Sequence, residues 1–426
     1  MDYKILENSF HFENIKSNSW FDIKVANIKT NIKLKNLKIV NNDKDKDILR
    51  TKTYQIFPSK KQKNILKNWI LLYNISYNKT IKYLKNNKLT SFISLRPIIK
   101  KSFNNEIKKL IKKFKIPSHT IDYAIKDVVT AYKSALANYK NKNIKYFYLR
   151  YKKLSSPILT ITLEDSAFSK IHNTFCKNIL GKFIKSKPIN ILKGINHTSK
   201  LSYNQYTNKY FLNVPKEIIK ENLEDRNVCA IDPGSRTFLT VCGNNKIIQI
   251  GNNSTELIRK SLNKIEETDQ NLKSNLLNLK DRKKLKKAIY IRREKLRNRI
   301  KDMHYKSIKY LCNNFKAILL GKLSTKSCIA NKNSKLNNVA KKDLINLKHF
   351  NFRQLLLAKG EVTNTDVQIV DESFTSKKCL KCDLINTSNS SKQFNCSQCN
   401  FSADRDIHSG FNIFVKHITK LKKYFK

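Results

Sequence analysis

The sequence predicts a mixed α/β protein with a four-cysteine metal module near its C-terminus. Three observations carry this. Apolar runs of strand length alternate with long helical patterns across the second half of the chain. Cys379-Leu-Lys-Cys382 is followed, after thirteen residues, by Cys396-Ser-Gln-Cys399. The third is charge: 86 Lys and Arg stand against 32 Asp and Glu, a formal +54 over 426 residues. Such like charge opposes folding unless a polyanion is bound, and a nucleic-acid backbone is the polyanion whose affinity grows with each phosphate neutralised. An anionic membrane surface fits poorly, because the charge spreads over the whole length and no stretch approaches 18 uninterrupted apolar residues.

The first 50 residues mix short alternating apolar stretches with Asn, Lys and Asp, and read as an N-terminal extension of uncertain fold. Thr51 to Phe57 alternates as a strand does, and Pro58-Ser59 ends it. A helix over about 61–84 follows, with Ile65, Leu66, Trp69, Leu72 and Ile75 on its apolar face. The stretch 101–115 reads as basic and helical, and after Pro117, Ser118 is placed to cap a further helix bearing Ile121, Ile125, Val128, Val129 and Tyr132. From about 147 to 215 the period shortens to that of strands, as in 158–163 and 210–214, and 221–226 reads as a polar linker. Val228 to Ile231 is a short apolar strand ending in Asp232-Pro233-Gly234, followed by strands at 238–241 and 247–250. Hairpin-linked strands of this kind open a ribonuclease H-like sheet. Charged helices span 255–311 with a break near 280–282, then come a strand at 318–320, a loop at 325–338, a helix over 342–359 and a strand at 367–370. A last helix begins at Ile407.

Two CxxC pairs place four soft thiolates about one ion with no open position, which suits structural tetrahedral Zn2+ rather than catalysis. The other cysteines, Cys176, Cys229, Cys242, Cys312 and Cys328, sit singly and read as ordinary thiols of a reducing compartment. Asp232 leaves a strand end, Glu372 follows the strand 367–370, and Asp404 and Asp406 precede the last helix. Three carboxylates leaving separate elements can converge on two Mg2+ ions about 4 Å apart, one activating water and one stabilising the leaving oxygen of a phosphodiester. Singly they are weaker signals, since Asp-Pro-Gly is also turn chemistry and an acid at a helix start also complements the dipole. Lys60, Lys61 and Lys63 with Trp69, Tyr73 and Tyr77 form a basic and aromatic mixture suited to phosphate neutralisation and stacking; a core Trp69 beside solvated lysines is the plain alternative.

Ile231-Asp-Pro-Gly234, the helical region ending in His304-Tyr-Lys306, Thr375-Ser-Lys-Lys-Cys379 and the terminal run Cys396 to Ile413 together resemble the RuvC nuclease half of transposon-encoded TnpB proteins and their eukaryotic and giant-virus relatives, the Fanzor proteins. Thr53 to Trp69 is similar to the strand, proline and Gln-containing helix that opens these proteins. The resemblance implies an RNA-guided, Mg2+-dependent DNA endonuclease. Its partners would be a guide RNA encoded with the element and double-stranded target DNA bearing a short adjacent motif, and its site of action intracellular, in the nucleus or a viral factory. Asp232 matches the family's first catalytic Asp and Asp406 its last, with Asp404 the second choice; the four cysteines match its zinc ribbon. Where most of the family has a catalytic Glu after the strand 318–320, this chain has Gly321-Lys322. Glu372 matches the relocated glutamate found in some members. His408 with Ser409-Gly410, and Asp383 and Asn400 after the CxxC pairs, are further departures.

The expected organisation is an extension (1–50), a β-barrel-like wedge domain (51–57 and 141–225), a helical recognition domain (58–140), a RuvC-like domain (226–378 and 400–426) and the zinc ribbon (379–399). The competing function is a catalytically inactive nucleic-acid-binding protein, a transposon accessory or repressor, motivated by Gly321-Lys322.

Overall fold

A computed structural model describes residues 10–17, 21–28, 48–87, 91–221, 223, 226–243, 245–252, 254–273, 277–330, 337–386 and 392–418. The fold is mixed α/β. Contacts divide it into two units, one of residues 49–218 and one of residues 1–48 with 219–426. The chain opens with β1 (Glu13–Ser17) and β2 (Asp22–Asn27), which belong to the latter.

In the 49–218 unit, β3 (Ile48–Phe57) leads into α1 (Lys60–Asn86), α2 (Phe92–Lys101), α3 (Asn105–Lys113) and α4 (Ser118–Lys140). Then come β4 (Ile158–Leu163), α5 (Lys177–Leu180), β5 (Lys185–Lys187), β6 (Ser199–Asn204) and β7 (Lys209–Ile218). The strands form one sheet in the order β4-β6-β7-β3-β5. The expected barrel is not closed: β4 and β5 end the ladder, and no pairing among the described residues joins them. Helices and sheet share one apolar core, in which Leu66, Trp69 and Ile70 of α1 meet Ile121 and Ile125 of α4 and Ile161, Leu201 and Leu212 of the sheet. Each such aliphatic contributes about 1.5–3 kcal/mol by leaving water. Ser59 starts α1 with a capping box: its hydroxyl accepts from Gln62 N at 3.3 Å while Gln62 Oε1 accepts from Ser59 N at 2.8 Å. Ser118, expected as a cap, is instead the first residue of α4 and its hydroxyl accepts from Lys100 Nζ at 2.7 Å; Pro117 holds the cap position.

The other unit is built on β8 (Asn227–Pro233), β9 (Leu239–Gly243) and β10 (Lys246–Ile250), then α6 (Ser254–Leu272) and α7 (Leu279–Asn314). β11 (Phe315–Gly321), α8 (Thr325–Ala330), α9 (Asn338–Leu347), α10 (His349–Thr363) and β12 (Asp366–Val370) follow. β13 (Gln393–Asn395), β14 (Ser402–Asp404) and α11 (Arg405–His417) close the described chain. Seven strands line up as β1-β2-β10-β9-β8-β11-β12. The hairpins make β1 to β8 antiparallel, whereas β8, β11 and β12 are parallel, because helices carry the chain back between them. The period of two sorts the side chains. Cys229, Ile231, Ile318 and Leu320 face α6, α7 and α10, while Val228, Ala230, Ala317 and Leu319 face Ile413 and Phe414 of α11. β1 and β2, given no fold by the sequence, extend this sheet through the antiparallel β2–β10 ladder.

Three boundaries differ from the periodicity. Asn278 accepts from Asp281 N at 2.8 Å, so α7 begins at 279 and runs through the expected break at 280–282. Lys348 adopts a left-handed φ of 54°, splitting the expected helix 342–359 into α9 and α10. Of the expected loop 325–338, residues 325–330 form α8 and residues 331–336 lie outside the described residues.

Arg226, at the end of the expected polar linker, is buried. Its guanidinium donates to Cys312 O (2.8 Å) at the end of α7, and to Asn364 O (2.9 Å) and Thr365 Oγ1 (2.7 Å) beyond α10. Arg226→Met would leave these acceptors without donors, and a loss of about 3 kcal/mol is expected in denaturant unfolding; a change below about 0.5 kcal/mol would contradict this account.

Candidate carboxylate site and four-cysteine metal centre

Parallel pairing puts the C-terminal ends of β8, β11 and β12 on one edge of the sheet, where ligands of open α/β sheets gather. Leu320 pairs Ile231 and Gly321 pairs Val370, so Asp232, Gly321 and the 371–372 segment leave that edge together. Asp406 comes to it from the first turn of α11, which packs on β8 and β9. The approach is close: Gly410 has no Cβ, and one there would stand 2.6 Å from Cys242 Sγ.

The Asp232 carboxyl is pushed up to about 8, first by the depth of protein around it, then by Glu372 and Asp406, with a hydrogen bond from Ser409 opposing. Burial, and after it Asp371, raise Glu372 to about 7, and its Oε2 is buried with no hydrogen-bond partner. Asp406 is also raised by burial, against Arg236, whose guanidinium lies 3.7 Å from Oδ1. Asp404 serves the backbone instead, since its Oδ1 caps α11, accepting from Asp406 N (3.0 Å) and Ile407 N (3.2 Å). Asp371 is held by Lys416 Nζ at 2.7 Å.

Gly321 explains why Glu372 fits. A Cβ there would lie 2.6 Å from Glu372 Oε2 and 3.2 Å from Pro233 Cδ, so the carboxylate occupies space that any side chain on Gly321 would take. Lys322 is exposed and donates its backbone N–H to Val370 O at 2.8 Å. Two supporting groups were given no role by sequence reasoning, a hydroxyl pair and a histidine. Thr375 Oγ1 donates to Glu372 O at 2.8 Å and lies 3.2 Å from Ser409 Oγ, so one hydroxyl pair touches both Glu372 and Asp232. Ser409 follows Asp406 by three positions on α11, and that helical spacing was its one signal. His349 is the second: buried, it bonds Gly234 O at 2.9 Å and sits with His304 on either side of Phe238, at centroid distances of 5.0 and 5.2 Å.

The cysteines lie beside this edge. Cys379 and Cys399 Sγ are 3.7 Å apart, Cys382 and Cys396 Sγ 3.5 Å, and all four lie within 4.8 Å of one another. Zn–S bonds of about 2.3 Å in a tetrahedron require sulfur separations of about 3.8 Å, so the quartet fits Zn2+. Among the described residues no other His, Cys, Asp or Glu cluster draws three ligand atoms this close, the carboxylates included. Asp383 (φ 62°) and Asn400 (φ 54°) take the left-handed turns after each pair. His408 stacks on Phe394 of the module at 3.8 Å, and Asn412 donates to Thr375 O (2.8 Å) and Lys378 O (2.7 Å). The module is thereby bound to the helix carrying Asp406.

In the 49–218 unit, Lys60, Lys61 and Lys63 line an open groove with Asn64, Lys67 and Asn208. Tyr73 corrects the sequence reading. Its ring is wholly buried and its hydroxyl bonds Asp127 and Thr162, so no base can stack on it. Tyr77 is half-buried with Lys152 Nζ 4.4 Å above its ring, and Trp69 is a core residue donating to Phe114 O at 3.2 Å.

Two outcomes follow from this site. Gly321→Ala is expected to cost about 1–3 kcal/mol by forcing Glu372 aside. In a Glu372→Ala background most of that cost should vanish, and a double-mutant cycle showing coupling below about 0.5 kcal/mol would refute the contact. In metal-free protein, Asp232 and Glu372 keep their protons in the folded state to higher pH than in the unfolded chain, whose carboxyls titrate near about 4. Stability should therefore fall as pH rises from about 4 through about 8, and Asp232→Asn should flatten the slope in thermal melts.

Residues 349–413 match the family model described as Cas12f1-like, TNB domain. A TnpB-like protein of Acanthamoeba polyphaga mimivirus is 34% identical over 391 residues, spanning 87% of this chain and 73% of that one. A putative transposase of the same virus is 29% identical over 430 residues, 95% of this chain and 88% of its own. The CRISPR-associated endodeoxyribonuclease Cas12f1 of Sulfoacidibacillus thermotolerans is 26% identical over 88 residues, 20% of this chain and 21% of its own. No helix among the described residues is long and apolar enough to cross a membrane. With sequence identity of this extent along most of its length, the chain belongs to the TnpB/Fanzor-like superfamily, related to giant-virus TnpB proteins and Cas12f1-type nucleases.

Proposed function

We propose that the chain is a transposon-associated RNA-guided DNA endonuclease with a RuvC-like, ribonuclease H-type site of Asp232, Glu372 and Asp406. The observation that carries this reading is the Glu372 carboxylate lying over Gly321 at the strand edge that also bears Asp232. Relocation of a carboxylate to the neighbouring strand explains why Gly321-Lys322 stands where most of the family has glutamate. The site suits Mg2+ on its donor chemistry: three carboxyls whose charges oppose one another, and a buried Glu372 oxygen without a hydrogen-bond partner. Divalent cations held by Asp232, Glu372 and Asp406 would supply a bound water more acidic than bulk water and would offset charge on the leaving oxygen. The chain's own contribution is placement. Ser409 bonds the Asp232 carboxyl, Thr375 holds the Glu372 backbone carbonyl, Asp404 fixes the turn that presents Asp406, and Arg236 offers a cation beside Asp406 for a phosphate. Zn2+ on the four cysteines would serve structure, since all four positions are sulfur.

Guide RNA and duplex target DNA are the partners of this reading, met by a strongly basic chain whose open groove at Lys60, Lys61 and Lys63 offers contacts to backbone phosphates. The second reading, guided binding without cleavage, is favoured by one observation: the oxygens of Asp232, Glu372 and Asp406 do not all lie within 4.8 Å of one another. Two ions about 4 Å apart do not require that closeness, which is why cleavage remains the first reading.

The experiment is purification with co-expressed RNA from the native locus, then cleavage of a guide-matched DNA library with randomised flanks in Mg2+. The parent is expected to cut, and Glu372→Ala to cut at least about 100-fold more slowly while keeping its zinc and RNA, because loss of an outer-shell partner alone costs about 10–100-fold. Tight RNA and target binding with no cleavage by the parent would replace the nuclease reading with the binding one.

A further inference from the structure

We propose that residues 144–154 form a stacking platform for single-stranded nucleic acid, with Tyr146 and Tyr148 receiving unpaired bases. The segment joins α4 to β4, and residues 146–153 belong to no helix or strand, yet the segment is tied down along its length. Phe147 packs edge-on against Tyr132 at 5.5 Å and meets Tyr139 at 6.2 Å, both on α4. Lys152 is clamped to α1 by a reciprocal pair, its N–H donating to Asn78 Oδ1 at 2.8 Å and its carbonyl accepting from Asn78 Nδ2 at 2.9 Å. Its ammonium lies 4.5 and 4.4 Å from the ring centroids of Tyr73 and Tyr77. Beyond it, Gln205 Nε2 donates to Leu154 O and Ser156 O at 2.6 and 2.7 Å.

Between these ties the side chains alternate. Phe147 and Leu149 turn partly inward, while Tyr146 and Tyr148 are 76% and 64% exposed. Large rings standing in water on an anchored backbone are pre-organised contact area, since the ordering entropy has already been spent in folding. Charge selects the partner: from 128 to 163 there is no Asp or Glu, against seven Lys and Arg, with Lys145 and Arg150 flanking the two tyrosines in sequence. A basic track interleaved with exposed aromatic faces is the chemistry that binds unpaired bases and their phosphates. A duplex keeps its base faces stacked inside and offers this surface phosphates alone. The Arg150 guanidinium, 5.5 Å from the Tyr148 centroid, completes a stacked face on one side. The proposal extends the nucleic-acid part of the reading above and does not need cleavage.

It is tested by fluorescence anisotropy of the full chain, without added magnesium, on labelled oligothymidylate and on the matching dA·dT duplex across a salt series. Tyr146→Ala and Tyr148→Ala should each weaken single-strand binding about 5- to 100-fold and leave duplex binding and the salt slope unchanged. Tyr→Phe at either position should retain affinity, because the ring face is kept. Lys145→Gln should weaken both ligands and reduce the salt slope by roughly one unit. The exposed positions should leave the melting temperature unmoved. Equal losses on single strand and duplex, Ala variants that bind as the parent does, or Phe variants as weak as Ala would each overturn the platform, whatever the nuclease assay returns.

Discussion

Because β8, β11 and β12 run parallel, their carboxyl ends leave the sheet on one edge, and the arrangement of the 219–426 segment follows from that pairing. Parallel strands require crossovers, and α6–α7 and α9–α10 provide them while covering one face of the sheet. The opposite face of the same strands is left for α11, whose Ile413 and Phe414 close it and whose first turn carries Asp406 to the edge where Asp232 and Glu372 emerge. A slip of β8 by one residue against β11 would turn Ile231 to the α11 side and move Asp232 off the edge. Core packing and site placement are thus one constraint.

Placing carboxylates together has a cost that the surroundings meet only in part. Asp232 and Glu372 are each disfavoured as anions by burial, and Asp232 further by its two acidic neighbours. The protein supplies the Ser409 hydroxyl to Asp232 and keeps Arg236 near Asp406, but among the described residues it leaves Glu372 Oε2 without a donor. In a chain of net +54, no lysine among the described residues bonds that oxygen, although Lys322 follows Gly321 directly. Lys322 is exposed, and Asp371 takes the nearby Lys416. Glu372 Oε2 is thereby left open to a ligand from outside the chain under the proposed chemistry.

The cysteine module is tied to the same edge. His408 stacks on Phe394, and Asn412 holds the backbone at Thr375 and Lys378, so the segment leaving β12, the module and α11 are one bonded assembly. His408, Ser409 and Gly410 depart from the family's usual residues, and each has a local reason here: stacking on the module, a hydrogen bond to Asp232, and close approach to Cys242. Zn2+, were it held by the four cysteines, would brace this assembly, and with it the turn of α11 that carries Asp406.

By itself the sequence determined what depends on near neighbours. The four cysteines were legible because two CxxC turns encode their geometry within a few residues. The strands at 228–231 and 318–320 were legible because both their faces are buried, which demands continuous apolar runs, and the half-buried strand at 367–370 by its Val and Ile residues. The acids at their ends could be nominated for the same reason. Only the tertiary structure decided what depends on distant partners. Nothing near Gly321 in sequence shows that Glu372 fills the space above it, and nothing near Tyr73 shows that Asp127 and Thr162 take its hydroxyl into the core. Arg226 read as linker because, Leu223 O apart, its acceptors lie 86 to 139 positions away. Local patterns record whether a residue can be buried or can turn; which residues share a carboxylate, a cavity or a hydrogen bond is settled by packing across the chain, and packing leaves no period in the sequence.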